Sequence, residues 1–440
     1  MGNNAKNYYE KLIAILIYMT FFFSFFGSFL AYPKISFLFM YRISLAFLLF
    51  IIFIFIYYFS IDYKNLNNVT TYFAIIWISY SLLSFIWVAD IKNALRDQVF
   101  LTINLIVILI FMYFAKLLKP LIIYKIVAIT YSISSFVGII EIFTDKHLWI
   151  SKIPQYGLKH VPSAFFSNPN DFATYLVLFL PYIIYLFLLS KNNISKYFYV
   201  FIIFLSIINI IFTESRANYF AVVIIFLLLP FIVNNNYKKE TIRFYFYFIM
   251  FIFLIVGFKL DAGLINKFIE MVTTQINSLF DFDVASMSSN VRRELLTKYG
   301  FSILIDYFLL GCGSGNSRVY MEKYKDITIN TDLHNWLLDI LATYGIIIFV
   351  LYFIWYLYQI IRLYKISKRL NNDLSIGAGA TLISLICFIF SSISSSKMIE
   401  MRVMWLVFAL SNYIISLYNH RKDAIEFGKG NDSNISSSLG

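Results

Sequence analysis

One histidine beside a long apolar stretch has the chemistry needed for group transfer. His334 ends a polar segment and is followed at once by apolar residues. An imidazole in such a position can take a proton from a hydroxyl group. An isolated histidine more commonly caps a helix or makes a structural hydrogen bond, and Asp332 would orient or neutralise its ring. The sequence therefore offers His334 as a general base, with a structural role as the alternative.

Three arginines have the complementary chemistry, because a guanidinium group can bind two phosphate oxygens at once. Arg216 lies between two apolar stretches, where the alternative roles are a pair with Glu214 or extension to the membrane interface. Arg292 and Arg293 open a helix-like stretch, where the alternative role is lipid anchoring. Together with Arg216, one of this pair would neutralise charge on a departing pyrophosphate without a metal ion.

Two polar segments could bind sugar or phosphate. Asn168 and Asn170 precede an apolar stretch, where capping of a helix is the default role and binding of sugar hydroxyls the functional one. The glycine-rich residues 311–316 resemble a phosphate-binding loop in composition. They follow a helix-like stretch rather than a strand, so a tight turn is favoured. The other three histidines, His147, His160 and His420, are weaker candidates for catalysis than His334.

The composition defines the elements that must position these residues. The chain has 440 residues, of which 60% are hydrophobic and 14% charged, and its mean hydropathy is +0.75. These values exclude a soluble globular protein. A helix of about 20 apolar residues crosses a bilayer, which predicts an all-α polytopic protein with about 12 transmembrane helices. The predicted spans are 12–32, 43–60, 70–89, 98–118, 120–143, 171–190, 197–213, 217–234, 241–259, 335–361, 374–394 and 402–418.

The distribution of Lys and Arg predicts the orientation. With the N-terminus inside, inner segments carry seventeen of these residues and short outer segments carry seven. Positively charged segments stay in the cytoplasm, so twelve spans with both termini cytoplasmic fit best. Residues 144–170 and 260–334, the latter between spans 9 and 10, are then long outer segments that hold most of the candidate residues. Residues 290–310 within the second are expected to form a helix that ends at Gly311.

The domain organisation, the net charge and the cysteines restrict the class of protein further. Residues 1–420 are expected to form one membrane domain with an uncleaved first span, and the polar residues 421–440 to form a disordered cytoplasmic tail. The net charge of +12 lies in short clusters, which argues against a nucleic-acid partner. The spacing of the two cysteines, Cys312 and Cys387, does not indicate a disulfide framework. No metal-ligand spacing is present, so we expect neither a metal nor another cofactor.

The order of these pieces resembles the O-antigen ligase superfamily, which includes O-antigen ligases, Wzy-type polymerases and teichuronic acid polymerases. The matching pieces lie at residues 166–170, 215–217, 290–292, 311–316 and 334–335, and the resemblance covers about residues 160–360. It implies a metal-independent glycosyltransferase of a GT-C-like helical fold in the bacterial cytoplasmic membrane. The donor would be an undecaprenyl-diphosphate-linked glycan on the outer face.

The resemblance also implies roles for individual residues. Arg216 and Arg292 would hold the diphosphate, with Arg293 as the alternative to Arg292, and His334 would activate the acceptor hydroxyl. The chain departs from the familiar pattern in having Ala217 after the first arginine and Cys312 in the glycine-rich element. Asn168, Asn170, Asp332 and Asn335 complete the set of expected substrate-binding residues.

The resemblance implies that the protein polymerises undecaprenyl-diphosphate-linked repeat units into a surface polysaccharide, and two alternative functions remain. Within the family, a ligase would transfer finished glycan to a lipid, wall or protein acceptor. A composition rich in Asn, Lys and Ile is typical of an AT-rich genome and hints at a Gram-positive host. Such a host has no lipid A, so a capsular or teichuronic-type polymerase fits better than a ligase that acts on lipid A. Expected partners are the lipid-linked donor, a glycan acceptor, membrane lipid and, for a polymerase, a chain-length regulator. From another class, a flippase or transporter of lipid-linked oligosaccharide would need charged residues deep in its spans, and few are found.

Overall fold

The computed structural model describes residues 3–32, 35–55, 68–257, 289–324, 332–369, 373–393, 395 and 397–436. Helices dominate these ranges. The α-helices are α1 (Asn3–Ser24), α2 (Met40–Phe55), α3 (Val69–Leu83), α4 (Ile91–Tyr113), α5 (Pro120–Thr144), α6 (Ile153–Tyr156), α7 (Pro169–Leu189), α8 (Asn193–Phe212), α9 (Arg216–Ile232), α10 (Lys238–Gly257), α11 (Ser289–Asp306), α12 (Ser317–Met321), α13 (Trp336–Arg369), α14 (Asp373–Ser391) and α15 (Arg402–Ser436). Short 3₁₀ turns lie at Gly27–Leu30, Ser84–Ile86, Ala115–Leu117, Asn235–Tyr237 and Met398–Glu400.

The helices agree with a polytopic membrane protein. Each of the twelve predicted spans overlaps an α-helix in its described residues, and seven helices among these residues are long and apolar enough to cross a bilayer. Helix α9 and the following Asn235–Met250 pass the same test only as a pair, with a bend of 111° between them. That geometry corresponds to a broken span or a re-entrant segment. The class of helical polytopic membrane proteins predicted from composition is therefore confirmed, while the count of twelve spans stays a prediction.

A small hairpin that the sequence did not predict follows α1. Strand β1 (Ala31–Tyr32) pairs antiparallel with β2 (Ile35–Phe39), and Ala31 lies opposite Phe39. Helix α1 ends at Ser24, earlier than the predicted end of the first span at residue 32. The hairpin leads directly into α2 and positions the first residues of that helix.

Helices α7 and α14 lie at the centre of the bundle. Nearly all residues of both are buried inside the protein, as expected for helices that are apolar on every face. Small residues in α14 allow close approach, since a Cβ added at Gly379 would lie 2.3 Å from the Tyr185 hydroxyl oxygen. The Ser384 hydroxyl donates to the Leu178 carbonyl oxygen at 2.6 Å and ties the two helices together. This core supports the helix ends that form the site.

Helix α11 lies over the bundle rather than beside it. Its Leu296 and Ile303 are buried in a small apolar cluster that includes Leu338 of α13. The helix ends at Asp306, so the predicted end at Gly311 is wrong by five residues. Residues 307–310 form a turn in which Phe308 and Leu309 have positive φ angles, and this turn ends the helix before the glycine is reached.

The end of the chain also differs from expectation. Helix α15 continues to Ser436, where we expected a disordered tail from residue 421. The residues just after the span, Arg421 to Glu426, include Lys, Ala and Glu, which favour helix once a preceding helix has nucleated it. Polar composition alone therefore did not predict the end of this helix.

Candidate functional site

A large cavity opens where the helix ends meet at one end of the bundle. Its volume is about 1240 Å³, above the range of about 300–1,000 Å³ of ordinary small-molecule pockets. The walls come from the end of α1, the starts of α2, α7 and α15, the first turns of α4, and the segments before α7 and α13. The cavity is therefore large enough for a ligand of several sugar units, and it lies on the side that the charge count predicts to be outside.

The cavity brings together several residues that the sequence singled out. Asn168, Asn170, Asp332 and His334 all line it, although the two pairs lie in distant parts of the chain. A smaller cavity of about 210 Å³ shares Asp332 and His334 and is also lined by Asn335. The two polar segments that were predicted to hold the chemistry thus meet around one space.

Two of these asparagines cap helices. The Asn168 side-chain oxygen accepts a hydrogen bond from the Asp171 backbone N–H at 2.8 Å and closes the start of α7. The Asn335 side-chain oxygen accepts one from the Leu338 N–H at 3.2 Å at the start of α13. The capping role expected for Asn168 is confirmed. Both residues therefore set helix entry points at the cavity wall.

His334 has a strained backbone. Its φ is 48°, in the left-handed region, and its side chain is half-buried at the wall shared by the two cavities. Such a conformation is uncommon for a residue with a Cβ and costs about 1–3 kcal/mol. Strain of this kind is concentrated at functional sites, where the surrounding structure holds a side chain in position.

Arg216 is the first residue of α9 and does not line either cavity. A chain of hydrogen bonds nevertheless joins its helix start to the smaller cavity. The Asn218 amide nitrogen donates to the Ser215 hydroxyl at 2.8 Å and to the Thr174 hydroxyl at 3.3 Å. The Thr174 and Ser395 hydroxyls are 2.9 Å apart, and Ser395 lines the smaller cavity. The start of α9 is therefore held close to the site.

The other two predicted arginines lie in the first turn of α11. Arg292 and Arg293 have helical backbone there, and their side chains fall outside the described part of the structure. Their expected contacts with substrate remain predictions. Much of the second outer segment, at 258–288 and 325–331, also lies outside the described residues.

Most of the positive charge of the cavity was not predicted from the sequence. The larger cavity is lined by six cationic side chains, namely Arg42, Arg96, Lys152, Arg318, Lys397 and Arg402. Four of them, Arg42, Arg96, Lys397 and Arg402, belong to the seven Lys and Arg residues of the short segments that are predicted to lie outside. Lys and Arg are usually more frequent on the cytoplasmic side of a membrane protein, so cationic residues in outer segments are exceptions. These exceptions were the feature of the sequence that indicated another role for them. The cavity is suited to an anionic ligand.

Glu141, near the end of α5, is a second residue whose role the sequence did not reveal. Its buried carboxylate accepts hydrogen bonds from the backbone N–H groups of Ser163 at 2.7 Å and Ala164 at 2.8 Å. A weaker bond comes from the Leu148 N–H at 3.3 Å, and the His147 ring nitrogen is 3.6 Å away. This carboxylate anchors the segment that carries Asn168 and Asn170 into the cavity.

Replacing Glu141 by Ala is expected to lower the free energy of unfolding by about 2 kcal/mol or more, because two buried N–H groups lose their acceptor. Titration of the purified protein with denaturing detergent would measure the change. The matched control is Glu294→Ala, an exposed carboxylate on α11, which should change stability by less than about 0.5 kcal/mol. Equal stability of the two variants would contradict the anchoring role.

The glycine-rich residues 311–316 form a turn that packs against helices. The Cys312 N–H donates to the Ala342 carbonyl oxygen at 2.9 Å, and the Ser314 N–H donates to the Ser84 hydroxyl at 3.0 Å. Gly311 has a φ of 79°, and a Cβ there would lie 2.5 Å from the backbone nitrogen of Gly345. The preferred interpretation as a tight turn is therefore confirmed. Burial raises the pKa of the Cys312 thiol well above its usual value, so this thiol is unreactive.

These features define a multi-pass membrane protein with a polar, cationic cavity at one end of a helical bundle. Residues 200–353 match the family model described as O-antigen ligase, a region that contains Arg216, Arg292 and His334. The Teichuronic acid biosynthesis protein TuaE of Bacillus subtilis (strain 168) is 27% identical over 361 residues, which cover 79% of this chain and 71% of that protein. The resemblance to the O-antigen ligase superfamily is confirmed, and the protein is a membrane enzyme of the glycosyltransferase or ligase type.

Proposed function

We propose that the protein polymerises undecaprenyl-diphosphate-linked oligosaccharide repeat units into a surface polysaccharide on the outer face of the cytoplasmic membrane. The observation that carries this proposal is the large cationic cavity, which is lined by His334 and by the capped Asn168–Asn170 segment. The similarity to a protein of teichuronic acid biosynthesis supports a role in surface polysaccharide synthesis. Partners in the reaction would be the lipid-linked donor, the growing glycan and membrane lipid.

The proposed step is a displacement at the anomeric carbon of the donor sugar. His334 takes the proton of the acceptor hydroxyl as its oxygen forms the new glycosidic bond. The bond between the anomeric carbon and the diphosphate oxygen breaks, and the electron pair leaves with the diphosphate. Arg216, and Arg292 or Arg293, neutralise the charge that develops there. The N–H groups at the start of α9 add to the attraction for the anion.

A reconstituted assay tests the function directly. Purified protein in lipid vesicles receives undecaprenyl-diphosphate oligosaccharide, and the products are separated by size. We expect a ladder of glycans that differ by one repeat unit, with equal yield in the presence of a chelator. Transfer of a preformed chain to an acceptor without such a ladder would support a ligase instead. Movement of intact donor across the bilayer without new glycosidic bonds would support a flippase.

The proposal includes twelve spans with both termini in the cytoplasm. Lys159 and Lys239 are exposed and lie on opposite sides in that topology. A cysteine at position 159 should react with an impermeant maleimide in intact cells, whereas one at position 239 should react only after permeabilisation. The native Cys312 and Cys387 are buried and give little background. Labelling in the reverse order would overturn the orientation.

A further inference from the structure

A patch of exposed apolar side chains begins on α11 and continues into the turn that follows it. Phe308 is 88% exposed and Ile305 is 70% exposed, and Phe301, Leu309 and Leu310 are exposed as well. Large apolar side chains are unfavourable in water, and a contiguous group of them usually marks contact with a protein or a membrane. We call these five residues the outer apolar patch.

The exposed face of α11 changes in character along the helix. Its exposed side chains near the start are polar, namely Glu294, Thr297 and Lys298. From residue 301 onward the exposed side chains are mainly apolar, and Asp306 is the only charged residue among residues 301–310. This change is expected of a helix that begins in water and ends at the surface of a bilayer.

Backbone contacts hold the outer apolar patch against a break in α13. Gly345 has a φ of 73° and interrupts that helix. The Ile346 N–H donates to the Leu309 carbonyl oxygen at 2.9 Å. A Cβ added at Gly345 would lie 2.4 Å from the same oxygen, so the turn fills the break closely. The position of the turn is therefore fixed relative to the start of the helix that follows Gly345.

The break lies where α13 would enter the membrane. The part of α13 from Ile346 to Arg369 is by itself longer than the roughly 20 residues that cross a bilayer. Lys365, Lys368 and Arg369 lie at its far end, which is cytoplasmic in the topology proposed above. Ile346 then lies near the outer boundary of the hydrocarbon core, and the turn that contacts it lies at the same level.

Two amphipathic aromatic residues contact the same turn. The Tyr80 hydroxyl donates to the Leu310 carbonyl oxygen at 2.7 Å, and the Trp87 Nε1–H donates to the Gly311 carbonyl oxygen at 3.0 Å. Tyr and Trp are enriched at membrane interfaces, where one end of the ring is in lipid and the other in water. Ile86, next to Trp87 in the chain, is 80% exposed. The outer apolar patch is thus continuous with the exposed apolar end of α3.

We propose that the outer apolar patch inserts into the outer leaflet, where it contacts lipid acyl chains just below the headgroups and holds the end of α11 at the membrane surface. Lipid is favoured over a protein partner because the patch is continuous with the exposed apolar ends of two spans, α3 and α13. Such an anchor would fix the height above the bundle of the helix that carries Arg292 and Arg293. The inference uses the topology proposed above and not the proposed reaction.

Depth-dependent fluorescence quenching tests the insertion. The full-length variants Phe308→Cys and Ile305→Cys are labelled with bimane and placed in nanodiscs of phosphatidylcholine that carries bromine at one chosen acyl position. The native Cys312 and Cys387 are buried and give little background. We expect the strongest quenching at both positions from bromines about 5–10 Å below the headgroup boundary. Ile305→Cys keeps the test valid if the left-handed backbone at Phe308 does not accept Cys, since Ile305 lies within α11.

Lys298→Cys is the matched control, because Lys298 is exposed on the same helix and lies on its polar part. Bimane at this position should be quenched much less by brominated lipid. Equal quenching at positions 298, 305 and 308 would overturn the inference, as would strong quenching at 298 alone. A patch that is covered by another protein, or by another segment of this chain, would give this lack of preference. Reversed labelling of positions 159 and 239 would overturn the topology and move the patch to the other leaflet, without changing the quenching depth.

Hydrogen exchange tests whether the inserted patch anchors α11. In the double variant Ile305→Gln, Phe308→Asn the patch loses its two most exposed apolar side chains, and Asn accepts the φ of 52° found at position 308. Amides of residues 294–306 should then exchange about tenfold faster or more in nanodiscs, because the helix end loses its apolar contact with lipid. Lys298→Gln is the matched control and should exchange at the wild-type rate. Wild-type exchange in the double variant would refute the anchoring role.

Discussion

Replacing His334 by Ala is expected to lower the rate of glycan transfer by about 10² to 10⁴, the usual loss when a general base is removed. The protein should still fold, because the side chain is only half-buried at a cavity wall. The measurement is the initial rate of polymer formation in the reconstituted vesicles. Product chains should be shorter or absent, while donor binding changes little.

The unusual backbone of His334 supplies a sharper control. Its φ of 48° disfavours Ala, so loss of activity in His334→Ala alone could reflect a shift of the chain. Asn adopts this conformation readily and cannot act as a base at neutral pH. His334→Asn should therefore match the wild type in thermal stability and still lack activity. Wild-type polymer yield from His334→Asn would rule out the base assignment.

The helices were largely predictable because their signal is local. Each predicted span is a continuous run of apolar residues. Such a run can be recognised in the sequence however the neighbouring helices are packed. The β1–β2 hairpin was missed because a few apolar and aromatic residues between two spans read equally well as the end of a helix. The end of α11 was also missed, because the turn at Phe308 and Leu309 has no glycine or proline to mark it.

The candidate site was predictable only in part, because some of its residues come together only when the bundle folds. Asn168, Asp332 and His334 stand in polar segments beside apolar runs, so sequence alone singles them out. Arg42 and Arg402 each stand alone at the end of a span, and they meet at the Phe39 ring only because the bundle folds. Such convergence depends on which helices are neighbours, and apolar periodicity does not encode that choice.

Arg216 is the residue whose replacement should affect activity far more than stability. It is the first residue of α9, where the helix dipole is positive, so a cation there is unfavourable by about 0.3–1 kcal/mol. Because this cost offsets part of any favourable contact of the side chain, Arg216→Ala should change the thermal midpoint little. Activity should fall by about 10² to 10³, because a donor that stabilises the leaving diphosphate is lost.

Arg216→Lys separates charge from geometry at the same position. Lysine keeps the positive charge but cannot make the paired hydrogen bonds of a guanidinium, so its activity should lie between those of Arg216→Ala and the wild type. Arg243→Lys is the matched control, since Arg243 is an exposed arginine on α10 that does not line either cavity. Transfer rates and thermal midpoints are measured together for all three variants. A structural role for Arg216 would give the opposite pattern, in which Arg216→Ala loses stability while Arg216→Lys retains both stability and full transfer activity.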